Sequence, residues 1–496
     1  MKQIIKNKTT LLALILLLGF FLRFYSLGAE SFWLDEGATG LAIKKYSPLE
    51  IIQNVREKGQ ILPDYYAHND DLPAYYVLLS FWSKFFGTDE FALRAFSAAF
   101  GFLSILLVFY IGMELFDPKT ALLSSFLASI NLTLLWYSQE ARQYIFLLFL
   151  SLFSVLMLFK YLKAQKSRFL AGLFISNALI VYSQFSWIIF LCFEGIYILY
   201  VSYSNFVKHK KIYWQLLALF LVLALLYIPI IGKAIFSKTD TVRLYGRPDI
   251  RQFAEFGIRL VTWMYPSEPM RQKIYEFSFA KFSLFEWLLL LSTAALLLLM
   301  MAFFLIGFAK LFQNRNIFLF ILLMMVFPIL FALTVSFLHP IINLFSIKQV
   351  IYVIPAFIFA VSFGILSTKK AKTIVAAVIL LSALPVFSYY ANPDKQQIRE
   401  ISQYIPADEP VFLNIRSAQV VYKYYSGEKE NINGVTSVDE LKNKLKDKND
   451  FWVILTFTKY SDPKGNIKDY LSRNYMLSEK KTYFDVEALH YKTAAP

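Results

Sequence analysis

The sequence predicts an α-helical polytopic membrane protein with a small α/β domain at its C-terminal end. Hydrophobic residues make up 57% of the 496 residues, and the mean hydropathy is +0.50. Apolar runs of about 18 or more residues recur through most of the chain, and each is long enough to cross a bilayer. After Tyr390 the chain becomes polar, and short apolar segments alternate with helical ones, which is typical of a small α/β domain.

Eleven of these runs are predicted to be transmembrane helices. They lie at about 10–27, 93–116, 119–137, 141–162, 168–185, 187–205, 212–232, 283–309, 316–338, 347–367 and 371–388. The segment 72–87 is apolar and aromatic, but about 16 residues are few for a span. It is therefore either a twelfth span or a helix that lies in the membrane interface.

The distribution of Lys and Arg decides between these alternatives, because cytoplasmic loops are rich in positive charge. With a cytoplasmic N-terminus and 72–87 outside the membrane, the cytoplasmic loops contain Lys160, Lys163, Lys166, Arg168, Lys208, Lys210, Lys211, Lys310, Arg315, Lys369, Lys370 and Lys372. If 72–87 crossed the membrane, all of these basic residues would lie on the extracytoplasmic side. We therefore expect 28–92 and 233–282 to be extracytoplasmic loops of a protein in the plasma (inner) membrane.

This topology predicts two domains. Residues 1–390 form a transmembrane domain that contains both loops, and residues 391–496 form the small α/β domain on the same extracytoplasmic side. The first apolar run, 11–27, follows Lys2, Lys6 and Lys8 and has no convincing small-residue cleavage site. We interpret it as a retained signal-anchor helix.

The formal net charge of +15 does not indicate a nucleic-acid partner, because the basic residues collect in short loops between spans. Cys192 is the only cysteine and lies in an apolar run, which excludes an intramolecular disulfide and a cysteine-based metal site. The sequence has no Walker-type or Gly-x-Gly-x-x-Gly phosphate loop. The chemistry of the chain is therefore expected to need no nucleotide.

Two adjacent carboxylates, Asp35 and Glu36, follow Trp33 just after the first span. One interpretation is an interfacial aromatic residue followed by a solvated acidic turn. The other is a catalytic base at the membrane surface. A partly desolvated carboxylate can accept a proton from a hydroxyl as that hydroxyl attacks.

A second acidic stretch, residues 67–76, contains His68, Asp70 and Asp71 ahead of Pro73. Asp at the start of a helix and Pro in its first turn are typical of a helix N-terminus. The same arrangement would return acidic groups to the membrane surface beside Asp35.

Four basic residues are candidate ligands of a lipid phosphate: Arg142, Arg243, Arg247 and Lys348. Arg142 lies at a turn between two spans, beside Glu140 and Tyr144. It either pairs with Glu140 or binds a phosphate through its planar fork. Lys348, at the outer mouth of a span, either extends its ammonium to the interface or neutralises a phosphate. Arg243 and Arg247 lie in the second loop, where arginine is common.

Together these features resemble the C-type glycosyltransferases that use lipid-phosphate sugars, among them the protein O-mannosyltransferases and the lipid A aminoarabinose transferase. The matching motifs are Trp33-x-Asp35-Glu36, Leu72-Pro73-Ala74-Tyr75-Tyr76, Gly87-x-x-Glu90 followed by Arg94, Glu140-Ala141-Arg142 with Tyr144, and Lys348 seven residues before Pro355. The resemblance covers residues 10–390 and continues weakly into the tail. The order of the motifs is typical of the superfamily but does not indicate the substrate.

The resemblance implies that Asp35 is the catalytic base and that Asp70 or Asp71 is a second acid in the same loop. The chain departs from the usual motifs of this superfamily at two places. The chain has Leu72-Pro73 where relatives commonly have two prolines, and Lys348-Gln349 where many have Arg. Lysine keeps the charge but loses the bidentate geometry of arginine.

We therefore expect inverting transfer of one sugar from a polyprenyl phosphate to a hydroxyl of a glycan, lipid or protein. Asp35, supported by Glu36, takes the proton, while Arg142 and Lys348 stabilise the departing phosphate. No cofactor is required, although clustered acids are also suitable ligands for a divalent metal. The alternatives are a lipid or sugar flippase, a non-catalytic envelope assembly protein, and a related transferase that uses a pyrophosphate-linked oligosaccharide.

Overall fold

The computed structural model is mostly helical and ends in a small mixed sheet. It describes residues 2–63, 72–205, 210–236, 247–262, 270, 273–274, 278–338, 343–392, 395–446 and 448–493. The chain divides into two compact units. The first contains Met1–Tyr25, Asp70–Tyr75 and Ser97–Asn392, and the second contains Ser26–Asn69, Tyr76–Phe96 and Pro393–Pro496. The predicted tail 391–496 thus falls almost wholly in the second unit, together with most of the first loop.

The helices that precede the tail are α1 (Lys2–Phe24), α2 (Leu34–Lys45), α3 (Pro48–Lys58), α4 (Pro73–Phe86), α5 (Glu90–Leu115), α6 (Pro118–Ile130), α7 (Leu132–Ser138), α8 (Tyr144–Ala164), α9 (Ser167–Val181), α10 (Ile188–Asn205), α11 (Lys210–Phe236), α12 (Ile250–Val261), α13 (Leu284–Leu311), α14 (Arg315–Leu338), α15 (Val353–Leu366) and α16 (Ala371–Ala391). Short 3₁₀ helices cover Phe185–Trp187, Phe279–Lys281 and Ile347–Gln349.

The apolar helices confirm the predicted polytopic helical fold. Within the described residues, six helices are long and apolar enough to cross a membrane, and the bent pair α6–α7 makes up to seven. The six are α5, α8, α11, α13, α14 and α16. The remaining predicted spans coincide with α1 and with the shorter apolar helices α9, α10 and α15. Each apolar run predicted to span is therefore helical, as backbone hydrogen bonding in lipid requires.

The segment 72–87 forms α4, whose 14 residues are too few for a span of about 20 residues. Its Phe81, Phe85 and Phe86 are exposed. The helix fits the prediction of a surface helix better than that of a twelfth span.

The bend between α6 and α7 arises at Asn131, where the two helix axes differ by 60°. Asn131 has extended backbone angles, and its side chain caps α7 by accepting a hydrogen bond from the Leu134 amide at 3.0 Å. The last carbonyls of α6, at Ala128 and Ser129, accept hydrogen bonds from the buried Arg23 guanidinium. Side chains thus replace the helical hydrogen bonds that the bend removes.

Two glycines allow α13 and α15 to pack backbone to backbone. A Cβ atom at Gly307 would lie 1.9 Å from the Ala360 carbonyl oxygen, and one at Gly364 would lie 2.0 Å from the Phe303 carbonyl oxygen. Such small-residue contacts are typical of helix association in membranes, where close van der Waals packing stabilises the pair.

The tail folds into a five-stranded sheet with helices. Its elements are α17 (Ile398–Tyr404), β1 (Val411–Leu413), α18 (Arg416–Ser426), β2 (Ile432–Gly434), α19 (Val438–Leu445), β3 (Asp450–Thr456), α20 (Thr458–Ser461), α21 (Asn466–Asn474), β4 (Tyr475–Tyr483) and β5 (Val486–Thr493). The strand order is β2-β1-β3-β5-β4, with β1 parallel to β2 and β3, and β5 antiparallel to β3 and β4. The predicted small α/β domain is confirmed.

We expect Gly364→Ala to destabilise the helical bundle, because its methyl group would collide with the Phe303 carbonyl. Overpacking of this kind costs about 1–3 kcal/mol. Gly257→Ala in α12 is the matched control, since a Cβ there meets nothing within 4 Å. Thermal unfolding of detergent-purified protein should show a lower midpoint for Gly364→Ala only. Equal midpoints would contradict the close packing.

Candidate functional site

Asp35 and Glu36 lie in the first turn of α2, where the helix N-terminus favours negative charge. The helix begins after Trp33, whose backbone is extended, and it ends with Lys44 and Lys45 in its last turn. The two carboxylates differ in environment. Asp35 is partly exposed, whereas Glu36 is fully buried.

The buried Glu36 carboxylate is paired with two cations. Arg94 contacts it through both arms of its fork, with Nε 2.8 Å from Oε1 and Nη2 2.7 Å from Oε2. The Lys395 ammonium lies 3.1 Å from Oε2. Both cationic side chains are almost entirely buried. Loss of one partner from such a pair is costly, because it leaves an uncompensated buried charge.

Arg94 also holds the backbone that leads to Asp35. Its Nη1 donates to the carbonyls of Leu27 at 3.0 Å and Glu30 at 2.7 Å, and its Nη2 donates to the Ser31 carbonyl at 3.0 Å. Since arginine presents five donors in a rigid fork, one side chain fixes both the Glu36 carboxylate and the preceding turn. The sequence motif includes Arg94, but it does not indicate this partner.

A second buried network surrounds Glu90, at the start of α5. Its Oε1 accepts hydrogen bonds from Arg399 at 2.9 Å and from the Tyr425 hydroxyl at 2.8 Å. The Phe32 amide donates to the same hydroxyl at 2.6 Å. Burial, reinforced by the Glu90 carboxylate, raises the pKa of Tyr425 well above its usual range. The hydroxyl therefore keeps its proton and remains a donor to Glu90.

In the first unit, Arg142 and Lys348 lie against the ring of Tyr144, the first residue of α8. The Arg142 Cζ atom is 6.0 Å from the ring centroid, and the Lys348 ammonium is 5.5 Å from it. Tyr137 packs edge-on against the ring at 5.3 Å. The chain segments that carry the two cations are about 200 residues apart, yet one aromatic ring contacts both.

Neutral side chains form hydrogen bonds beside these cations. The Gln349 side-chain oxygen accepts hydrogen bonds from Gln184 at 2.9 Å and from the Ser186 hydroxyl. Ser97 donates to the Arg142 carbonyl at 3.3 Å, and its oxygen is 3.0 Å from the Tyr75 hydroxyl. None of Gln184, Ser186 and Ser97 is a candidate on sequence grounds, because single neutral polar residues in apolar runs carry no pattern.

The other predicted site residues have varied placements. Glu140 is buried in the turn between α7 and α8, where its carbonyl accepts from the Arg142 amide at 2.8 Å. Arg247 is exposed just before α12. The remaining predictions, His68, Asp70, Asp71 and Arg243, lie outside the described residues.

Within the described part of the chain, Glu409, Asp450 and His490 form a group whose ligand atoms lie within 4.8 Å of one another. Other groups already contact these carboxylates. The Lys492 ammonium is 3.2 Å from Asp450, and the Trp452 indole donates to Glu409. The absence of a metal requirement stays a prediction.

Comparisons with known proteins bear on the fold and the enzyme class. A family model described as dolichyl-phosphate-mannose-protein mannosyltransferase matches residues 70–229. A search of curated proteins finds no significant match. Among solved structures, ArnT from Cupriavidus metallidurans in the apo state aligns with a TM-score of 0.55 and 10% identity, over 97% of this chain and 98% of that one. The fold is that of a C-type glycosyltransferase.

A second relative supports this C-type fold. The Archaeoglobus fulgidus oligosaccharyltransferase, tethered with an acceptor peptide, aligns with a TM-score of 0.52 and 11% identity, over 98% of this chain and 74% of that one. The predicted resemblance to C-type glycosyltransferases and the predicted enzyme class are both confirmed.

We expect Arg94→Gln to destabilise the protein, because Glu36 loses a bidentate partner and three carbonyls lose a donor. Breaking a buried pair of this kind costs about 3–5 kcal/mol. The matched control is Arg416→Gln, which removes a half-exposed pair with Glu440 worth about 1 kcal/mol or less. Thermal unfolding should show a larger drop in midpoint temperature for Arg94→Gln than for Arg416→Gln. An equal or smaller drop would contradict the assignment of a buried ion pair between Arg94 and Glu36.

Proposed function

We propose that the protein transfers one sugar from a polyprenyl phosphate to an acceptor hydroxyl, with inversion and with Asp35 as the general base. The reaction takes place on the extracytoplasmic face of the plasma membrane, and the C-terminal domain lies on that face. The distribution of Lys and Arg along the chain supports this orientation. The acceptor is a glycan, a lipid or a protein.

The contrast between Asp35 and Glu36 supports the choice of base. Glu36 is buried and its oxygens accept hydrogen bonds from Arg94 and Lys395, so its negative charge is already compensated. Asp35 is the member of the pair that is partly exposed. A base must reach the proton that it removes. In the proposed reaction, Asp35 takes the acceptor proton as the hydroxyl attacks the anomeric carbon from the side opposite the phosphate.

The choice of donor rests on the position of two cations, Arg142 and Lys348, beside the Tyr144 ring. A phosphate is a good leaving group, so stabilisation of its charge is more useful than a general acid. Arg142 supplies a planar fork that suits two phosphate oxygens, and Lys348 supplies a point charge. Arg243 and Arg247 are weaker candidates for the same role.

Relatives with the same fold support a lipid-linked donor. ArnT has been solved bound to undecaprenyl phosphate, and it aligns with this chain at a TM-score of 0.55 and 10% identity. The archaeal oligosaccharyltransferase has been solved with an inhibitory peptide and a dolichol-phosphate, at a TM-score of 0.50 and 13% identity. We propose the same class of lipid phosphate here, with Asp70 or Asp71 as a second acid and no required cofactor.

A pyrophosphate-linked oligosaccharide is the second candidate donor. The oligosaccharide part of this alternative agrees with the name of the oligosaccharyltransferase, whose fold is similar over 98% of this chain. The two donors differ in phosphate charge, so competition between the two lipid phosphates discriminates them.

Binding of undecaprenyl phosphate to purified protein in lipid nanodiscs tests the donor assignment. We expect Arg142→Gln and Lys348→Gln each to weaken binding by about tenfold or more, because each removes a charge-assisted contact worth about 1.5–3 kcal/mol. Lys372→Gln, an exposed residue at the start of α16, is the control and should bind as the wild type does.

Undecaprenyl pyrophosphate serves as the competitor in the same assay. Weaker competition by the pyrophosphate than by the monophosphate is expected for the proposed donor. Wild-type affinity in both Arg142→Gln and Lys348→Gln would overturn the assignment of these cations. Strongly preferential binding of the pyrophosphate would instead favour the second donor.

A further inference from the structure

The C-terminal domain packs directly on the helix that carries Asp35. A Cβ atom at Gly37 would lie 2.5 Å from Cγ2 and 2.9 Å from Cα of Val421, in α18. One at Gly40 would lie 2.9 Å from the Tyr424 ring. Only glycine permits such a close approach at both positions, which lie about one turn apart on α2. The tail and the first turns of α2 therefore share one closely packed surface.

Two tyrosines of α18 bind polar groups around α2. The Tyr425 hydroxyl accepts from the Phe32 amide, just before the helix begins. At the other end of α2, the Lys44 ammonium is 3.2 Å from the Tyr424 carbonyl and 3.6 Å from its ring centroid. Contacts with the tail thus hold both ends of the helix.

The tail segment 395–399 reaches the same region through a second set of contacts. The Arg399 guanidinium donates to the Ala29 carbonyl at 2.6 Å, and the Ser31 hydroxyl donates to the Gln396 carbonyl. Lys395 places its ammonium 3.1 Å from Glu36, the residue next to Asp35. Residues 29–36, which include the first turn of α2, are therefore bound at three points by the five-residue segment 395–399.

Lys395 is the unusual member of this set. Only 5% of it is exposed, and a buried ammonium is expensive unless a carboxylate compensates it. Arg94 already binds both oxygens of Glu36, so a second cation is not needed to pair this carboxylate. Burial of a lysine here links the tail to Glu36 itself and not merely to the surface of α2.

We propose that the C-terminal domain is a positioning element of the transferase and that Lys395 is its positioning residue. By holding Glu36, Lys395 fixes the first turn of α2 and hence the direction of the neighbouring Asp35 carboxylate. This inference rests on the proposed function, in which Asp35 is the base. Lys395 itself is not assigned a contact with substrate.

The test measures release of polyprenyl phosphate from polyprenyl-phosphate sugar by the full chain in nanodiscs, with a cell-envelope extract that supplies the acceptor hydroxyl to which the sugar is transferred. Hydrogen exchange of residues 31–45 is measured on the same protein. We expect Lys395→Met to lower kcat about tenfold or more, to change the donor KM less than twofold, and to speed exchange about tenfold in the first turn of α2. Lys395→Arg should restore most of the rate, because it keeps the charge.

Lys480→Met is the matched control, since Lys480 forms a half-exposed pair with Glu487 in the same domain. It should leave both rate and exchange unchanged. A wild-type kcat and wild-type exchange in folded Lys395→Met would overturn the positioning role. Absence of polyprenyl phosphate release by the wild type would instead overturn the proposed function, and the exchange of Lys395→Met would still decide whether Lys395 holds α2.

Discussion

The buried ion pair between Glu36 and Arg94 is the constraint on which the first loop depends. A carboxylate with no exposed surface is stable only if its charge is compensated, and the Arg94 fork does so with two hydrogen bonds of 2.8 and 2.7 Å. The same guanidinium binds three carbonyls of residues 27–31. One side chain thus gives a defined conformation to the segment that carries Asp35.

The helices are predictable from sequence, whereas the pairs around the site are not. Each apolar run predicted to span is helical, because lipid leaves the backbone no alternative to internal hydrogen bonds. Glu36 and Lys395, by contrast, are separated by 359 positions, and no periodicity connects them. The hairpin β4–β5 is also missing from the prediction, because the charged run around Lys480 masks the alternation of strand residues. Such features depend on tertiary contacts that a local pattern does not encode.

The proposed chemistry divides between two kinds of side chain. Arg142 and Lys348 stabilise negative charge, and the ring of Tyr144 lies against both of them. Lys348 lacks the bidentate geometry of the arginine that is common at this place in C-type glycosyltransferases, and Arg142 supplies that geometry instead. The Gln349 side chain is held by hydrogen bonds from Gln184 and Ser186. Asp35 needs only a defined direction and access to a proton. In the reaction that we propose, neither a nucleotide nor a general acid takes part.

The central claim is that Asp35 is the base, and the turnover of Asp35→Asn tests it most directly. The measurement is the rate of polyprenyl phosphate release from polyprenyl-phosphate sugar in the presence of a cell-envelope extract that supplies the acceptor hydroxyl, with protein that unfolds at the wild-type temperature. Asparagine keeps the size of the side chain but cannot accept the proton, so the account predicts a rate about 10²–10⁴-fold lower. Release at the wild-type rate would contradict it.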